Sequence, residues 1–108
     1  MPIHLPNPVD DYVVSGNSDD VEALATCFAS DAIVRDEGRT YEGLEAIKAW
    51  HAHARETYHH TVEPLDIVQR NDKTVMTARV SGNFPNSPVT LEHAFQLMAD
   101  KIAALEIR

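Results

Sequence analysis

The chain has 108 residues, of which 44% are hydrophobic and 24% charged, a balance typical of a folded globular protein and not of a disordered segment. Its net charge of −8 disfavours nucleic acid as a partner, and no apolar run approaches the ~20 residues of a membrane helix. The length allows one domain, over residues 1–108. A lone cysteine excludes an intrachain disulfide and the N-terminus lacks signal-peptide features, so we expect a cytoplasmic protein.

The first part of the chain has the 3.6-residue period of helices. Asn7 can cap a first helix, with Pro8 at its first helical position and Tyr12 on its apolar face. A second helix is predicted to begin at Ser18, where several acidic residues favour a helix start. Its apolar face is formed by Val21, Leu24, Ala25 and Phe28.

A short strand and a third helix are predicted next. Ala32–Glu37 alternates as a strand and turns at Gly38. The third helix runs from about Gly43 to Tyr58. One side of this helix carries Ile47, Trp50, His51, Ala54 and Tyr58.

The second half of the chain changes to the two-residue period of strands. Thr61–Gln69 and Thr74–Asn83 are predicted as strands joined by a turn at Asn71–Asp72. The composition of Gly82–Pro88 is that of a loop. The next strand alternates through Val89, Leu91, His93, Phe95 and Leu97.

A turn near Asp100 leads into a last strand at Ile102–Ile107. Helices that precede an antiparallel meander predict an α+β fold. A strongly curved sheet packed around an amphipathic helix would leave a concave internal pocket, the kind of space in which small ligands bind. We therefore expect a pocket between the helices and the sheet.

The segment from Tyr12 to Gly38, YVVSGNSDDVEALATCFASDAIVRDEG, resembles the opening of the ketosteroid isomerase and SnoaL-like polyketide cyclase group, within the nuclear transport factor two superfamily. The matching positions are Tyr12, Asp19, Phe28, Asp31–Ala32 and Asp36, followed by Gly43, Ala46 and Ile47 at the third helix. The resemblance implies a cystatin-like cone, with three N-terminal helices against the sheet. It also implies a homodimer formed through the sheet.

Asp36 is the first candidate catalytic residue. Strand alternation puts it on the face of Ala32 and Val34, where a buried carboxylate is costly unless it is paired or used. The resemblance implies that Asp36 shuttles a proton between carbon atoms. The structural alternatives are a cap on the turn at Gly38 or a pair with Arg35 or Arg39.

Tyr12 and His93 are the other candidate catalytic residues. The resemblance implies that Tyr12 donates a hydrogen bond to a developing oxyanion, and that His93 takes the place of the second donor. The alternation of its strand also points His93 inward. The alternatives are a packing tyrosine and a satisfied core histidine.

Three further side chains are predicted to bind the substrate: His51, Trp50 and Phe84. His51 could instead hydrogen-bond to Tyr12, and the alternative for Trp50 and Phe84 is a packing role. The histidines do not have the spacing of a metal site, because a separation of two on a helix splays side chains apart, and His59 and His60 are expected to be solvated. Cys27, placed on the second helix, is not aimed at the pocket. No metal or cofactor is expected.

Three functions stay open at this stage. The first is a cofactor-independent isomerase or cyclase that transfers a proton next to the carbonyl of a small, mostly apolar molecule. The second is a non-catalytic binder of a small apolar ligand. The third is an association module in which the outer face of the sheet forms a homodimer.

Overall fold

A computed structural model describes residues 3–108. Its helices are α1 (Asn7–Gly16), α2 (Val21–Ala25) and α3 (Leu44–Tyr58). Its strands are β1 (Phe28–Asp36), β2 (Arg39–Glu42), β3 (Thr61–Arg70), β4 (Lys73–Ser81), β5 (Val89–Met98) and β6 (Lys101–Ile107).

The strands form one curved, open sheet in the order β2-β1-β6-β5-β4-β3. Among the strands of residues 3–108, β1 and β6 are parallel neighbours, and the other neighbouring pairs are antiparallel. The predicted α+β class and mostly antiparallel sheet are therefore confirmed. None of the helices in residues 3–108 is both long enough and apolar enough to cross a membrane.

The helix starts differ from those predicted. Pro6, and not Asn7, is the N-cap of α1, because the carbonyl of Pro6 accepts the first helical hydrogen bond from the amide of Asp10 at 2.9 Å. The hydroxyl of Ser18 is used at the end of α1, where it donates to the carbonyl of Ser15 at 2.8 Å. The second helix consequently begins later, capped by Asp20.

Phe28 does not lie on α2, as predicted, but opens β1. This strand ends in the predicted turn at Gly38, but the turn closes a tight hairpin with β2, a strand that was not predicted. Glu37 and Gly38 both have positive φ, 54° and 76°, which is the backbone pattern of a two-residue turn that matches strand twist. The hairpin pairs β1 with the short strand β2 and leaves Asp36 as the last residue of β1, opposite Arg39.

The core lies between the helices and the inner face of the sheet. Its large, fully buried apolar side chains include Val9, Leu24, Val34, Ile47, Met76, Phe95, Ile102 and Leu105. Tyr12 packs edge-on against Phe28 and Phe95, with ring centroids 6.2 and 5.4 Å away. Because each aromatic pair adds ~1 kcal/mol beyond its buried area, this contact fixes α1 firmly on the sheet.

Candidate functional site

Asp36 ends β1 beside helix α3, and its side chain is half-buried. The indole nitrogen Nε1 of Trp50 donates a hydrogen bond to Asp36 Oδ2 at 3.1 Å. Burial raises the pKa of the Asp36 carboxyl above its ordinary value, while the bond from Trp50 opposes that rise. Within residues 3–108 no ion pair joins Asp36 to Arg35 or Arg39. The carboxylate is therefore held by a neutral donor and not neutralised by a cation.

Tyr12 projects from α1 into the core and is only 4% exposed. Its ring centroid lies 6.0 Å from that of His93. Burial raises the pKa of the Tyr12 hydroxyl, and the negative charge of Asp36 adds to the rise. The phenol therefore stays protonated at neutral pH and is able to donate a hydrogen bond.

His93 lies on the inner face of β5 and is 1% exposed, as the strand alternation indicates. Its ring stacks on Phe95 at a centroid distance of 6.3 Å. Burial lowers the pKa of His93 to about 4, so the imidazole is neutral at physiological pH. Its Nδ1 atom is buried and has no hydrogen-bond partner in residues 3–108.

Two of the three predicted binding residues lie next to this group. Trp50 contacts Asp36, and its ring lies 6.3 Å from His51. His51 is buried, and its Nε2 lies 3.3 Å from the carbonyl oxygen of Ser18. This contact ties α3 to the segment between α1 and α2. One ring nitrogen of His51 is thus in contact with a backbone carbonyl.

Phe84 lies at the C-terminal end of α3, away from Asp36. Its ring meets that of Tyr58 edge-on at 5.9 Å. The loop is held there by a hydrogen bond of 2.7 Å from the amide of Asn83 to the carbonyl of Tyr58. A Cβ atom at Gly82 would stand 2.7 Å from that same carbonyl oxygen, so only glycine permits this close approach.

His60 lies in a different environment from the one expected from the sequence. His59 is exposed, as expected, but His60 is turned inward and its Nδ1 is buried without a partner in residues 3–108. Its ring centroid lies 5.7 Å from that of His51. Burial, with the nearby charges of His51 and Arg55, lowers the pKa of His60 to about 4. The expectation of a solvated His60 is wrong.

The local structure explains this orientation. His59 has φ 48° and ends α3 in the left-handed conformation, which reverses the chain before β3. The guanidinium of Arg55 donates a hydrogen bond to the carbonyl oxygen of His60. It also donates to the Asp19 carboxylate, with Nε 2.9 Å from Oδ1. His60 precedes buried Val62 by two residues, and residues separated by two face the same side of a strand. Extending the alternation of β3 backward would therefore have predicted that His60 points inward.

Two series of contacts run through these side chains, one from Asp36 through Trp50 and His51 to His60 and the other between Tyr12 and His93. We call these six side chains the polar ring. A carboxylate able to accept a proton thus shares one region with a protonated phenol and neutral imidazoles. Among residues 3–108, no group of three or more His, Cys, Asp or Glu side chains is arranged to hold a metal ion.

Two surface depressions lie outside the polar ring. One of about 220 Å³ is bordered by Arg70, Lys73 and Arg108. The other, of about 270 Å³, is bordered by Ile67 and Val68 near the N-terminal segment. Neither is lined by a member of the polar ring, so the internal pocket expected from the sequence stays a prediction.

Comparisons with known proteins agree with this architecture. The family model of the SnoaL-like domain matches residues 9–104. A proposed polyketide cyclase from Sinorhizobium meliloti is 40% identical, with 96% of this chain and 95% of that chain covered and a TM-score of 0.92. A search among proteins of curated function gave no match.

Two more distant structures support the fold alone. A protein from Catenulispora acidiphila with a ketosteroid isomerase-like fold, solved with trimethylamine, is 20% identical over 97% of this chain and 86% of that chain (TM-score 0.85). A cystatin-fold protein from Novosphingobium aromaticivorans is 18% identical over 97% and 99% (TM-score 0.79). The cystatin-like fold implied by the resemblance is confirmed.

Proposed function

The chain belongs to the SnoaL-like domain family, and we propose that it is an enzyme that transfers a proton next to a carbonyl group of a small, mostly apolar molecule. The observation that carries this proposal is the half-buried Asp36 carboxylate, bonded to the Trp50 indole and unpaired with any cation in residues 3–108. The likeness to a proposed polyketide cyclase at 40% identity supports chemistry at a carbonyl compound.

Asp36 would act as the general base. Its carboxylate takes a proton from the carbon next to the carbonyl, and the electron pair of the broken C–H bond moves to the carbonyl oxygen as an enolate. Hydrogen bonds from Tyr12 and His93 would stabilise that oxygen, because both side chains are buried and can donate while uncharged. The proton on Asp36 then returns to a carbon atom. The cycle requires no cofactor.

The alternative within the same site is a binder without turnover. In that case Asp36 and the imidazoles would only orient a small apolar ligand. We propose a homodimer formed through the sheet both for the enzyme and for the binder, because this expectation comes from the family resemblance. A ligand that stabilises the protein but exchanges no proton would favour the binder.

Exchange of carbon-bound protons tests the proposal without knowledge of the natural substrate. We expect the protein to accelerate the exchange of α-protons of cyclohexanone and 2-tetralone for deuterium in D₂O, followed by proton NMR. Asp36 must be ionised to act as the base, and its pKa is raised above the ordinary value of 3.8. The exchange rate should therefore fall as the pH is lowered through this raised pKa. Exchange of both ketones at the buffer rate would contradict the enzyme proposal.

A further inference from the structure

The β1–β2 hairpin brings a further aromatic side chain, Tyr41, to the candidate site. Tyr41 lies on β2 directly opposite Val34 of β1, and the same hairpin sets Asp36 at the end of β1. Residues directly opposite each other in an antiparallel pair point to the same face of the sheet, as do residues separated by two along a strand. Tyr41 therefore shares the inner face with Asp36, and it is partly buried against the core.

The ring of Tyr41 contacts the indole of Trp50. Their centroids lie 6.0 Å apart, with the ring planes inclined by 36°. The indole also lies 6.3 Å from the ring of His51, but His51 is the next residue of α3 and belongs to the same helix as the indole. The contact with Tyr41 instead joins the indole to the hairpin that carries Asp36.

The Asp36 carboxyl depends on this indole for one of its hydrogen bonds. Nε1 of Trp50 donates to Asp36 Oδ2 at 3.1 Å, and the backbone amide of Glu37 supplies another bond to the carboxyl. The place of the Glu37 amide is set by the backbone of the turn. The indole, in contrast, is a partly buried side chain that can rotate about its side-chain bonds. Its orientation therefore depends on the rings that pack against it.

We infer that Tyr41 is a positioning residue, which holds the Trp50 indole in the orientation that keeps its N–H on the Asp36 carboxylate. This role rests on the proposed function, in which Asp36 is the base. The geometry of a catalytic group matters because a misplacement of ~1 Å can lower a rate by about 10². Tyr41 thus acts on the base through the indole and does not itself contact the substrate.

The indole signal of the full chain tests this role without a substrate. The chain has one tryptophan, so its ¹⁵N–¹H spectrum contains a single indole cross-peak. In the wild type the shift of the indole proton should follow the ionisation of Asp36, and this titration should disappear in Asp36→Asn. Nuclear Overhauser contacts between the rings of Tyr41 and Trp50 are expected as well. If the unmodified protein lacked them, the inference would be wrong.

Tyr41→Leu removes the ring that holds the indole. We expect a smaller titration of the indole proton and a higher midpoint for Asp36, because the bond from Trp50 lowers the pKa of that carboxyl. The rate of α-proton exchange at neutral pH should fall about 5-fold, the equivalent of ~1 kcal/mol for one neutral hydrogen bond. Tyr41→Phe keeps the ring and should restore the wild-type signal and rate. Tyr41→Val, which suits a strand, should behave as Tyr41→Leu and replaces it if the leucine variant does not fold.

Tyr58→Leu is the matched control. The same substitution there removes an aromatic pair, with Phe84 at 5.9 Å, but away from Asp36. It should lower the free energy of unfolding and leave the indole titration and its midpoint unchanged. A folded Tyr41→Leu protein with the wild-type titration and midpoint would overturn the inference. An altered titration in Tyr41→Leu, with no proton exchange in the wild type, would count against the enzyme proposal alone.

Discussion

Replacement of Asp36 by asparagine is expected to lower the rate of α-proton exchange by a factor of ~10²–10⁴, the usual contribution of a general base. The amide has nearly the same shape as the carboxylate and can still accept the hydrogen bond from Trp50. It cannot, however, take up the proton from carbon. The variant therefore separates the chemistry of Asp36 from its packing.

Asp31 supplies the control, because it lies on the same strand but is exposed. Asp31→Asn should exchange protons at the wild-type rate. Asp36→Asn should also keep or increase the free energy of unfolding at neutral pH, since burial disfavours the charged carboxylate that it removes. An Asp36→Asn protein that is folded and exchanges protons as fast as the wild type would exclude Asp36 as the base.

Acid is expected to destabilise the protein through His93. In the unfolded chain the histidine binds a proton near pH 6.5, but in the folded protein it does so only near pH 4. The unfolded state therefore gains protons first, and the free energy of unfolding falls as the pH is lowered from 6.5 to 4. For this buried ring the loss amounts to about 3 kcal/mol, at ~1.4 kcal/mol for each pH unit.

Urea unfolding at several pH values measures this loss. Between pH 7 and pH 4 the wild type should lose about 3 kcal/mol more than His93→Gln, in which the titrating group is absent. His60 contributes in the same direction, so the variant should retain part of the acid sensitivity. His59→Gln, at an exposed position, should lose as much as the wild type. If the wild type and His93→Gln lost the same free energy of unfolding, His93 would have the same pKa in the folded and unfolded states, which would contradict the prediction.

Much of the fold was predictable because strand alternation depends on burial, and burial depends on residue type. The two-residue period placed Ala32 and Val34 on the inner face of β1, and the same period placed His93 inward on β5. The turn at Asn71–Asp72 and the span of α3 also follow from local chemistry. For these elements the local preference and the tertiary structure agree.

The features that were missed depend on contacts between distant segments. His60 turns inward because His59 adopts the left-handed conformation and Arg55 binds the carbonyl of His60. Phe84, whose predicted role in binding stays a prediction, is positioned by the loop that bonds to the end of α3, a contact that no local pattern encodes. The hydrogen bond between Trp50 and Asp36 likewise joins residues on a helix and a strand. Sequence periodicity assigns faces, but it does not say which side chains meet.

Titration of the Asp36 carboxyl by ¹³C NMR tests the central claim most directly, because it needs no substrate. A carboxylate held half-buried by one indole should titrate above 3.8, and Trp50→Phe should raise the midpoint further by removing the bond that favours the charged form. A midpoint at or below 3.8 in the wild type, or a lower midpoint in Trp50→Phe, would contradict the account.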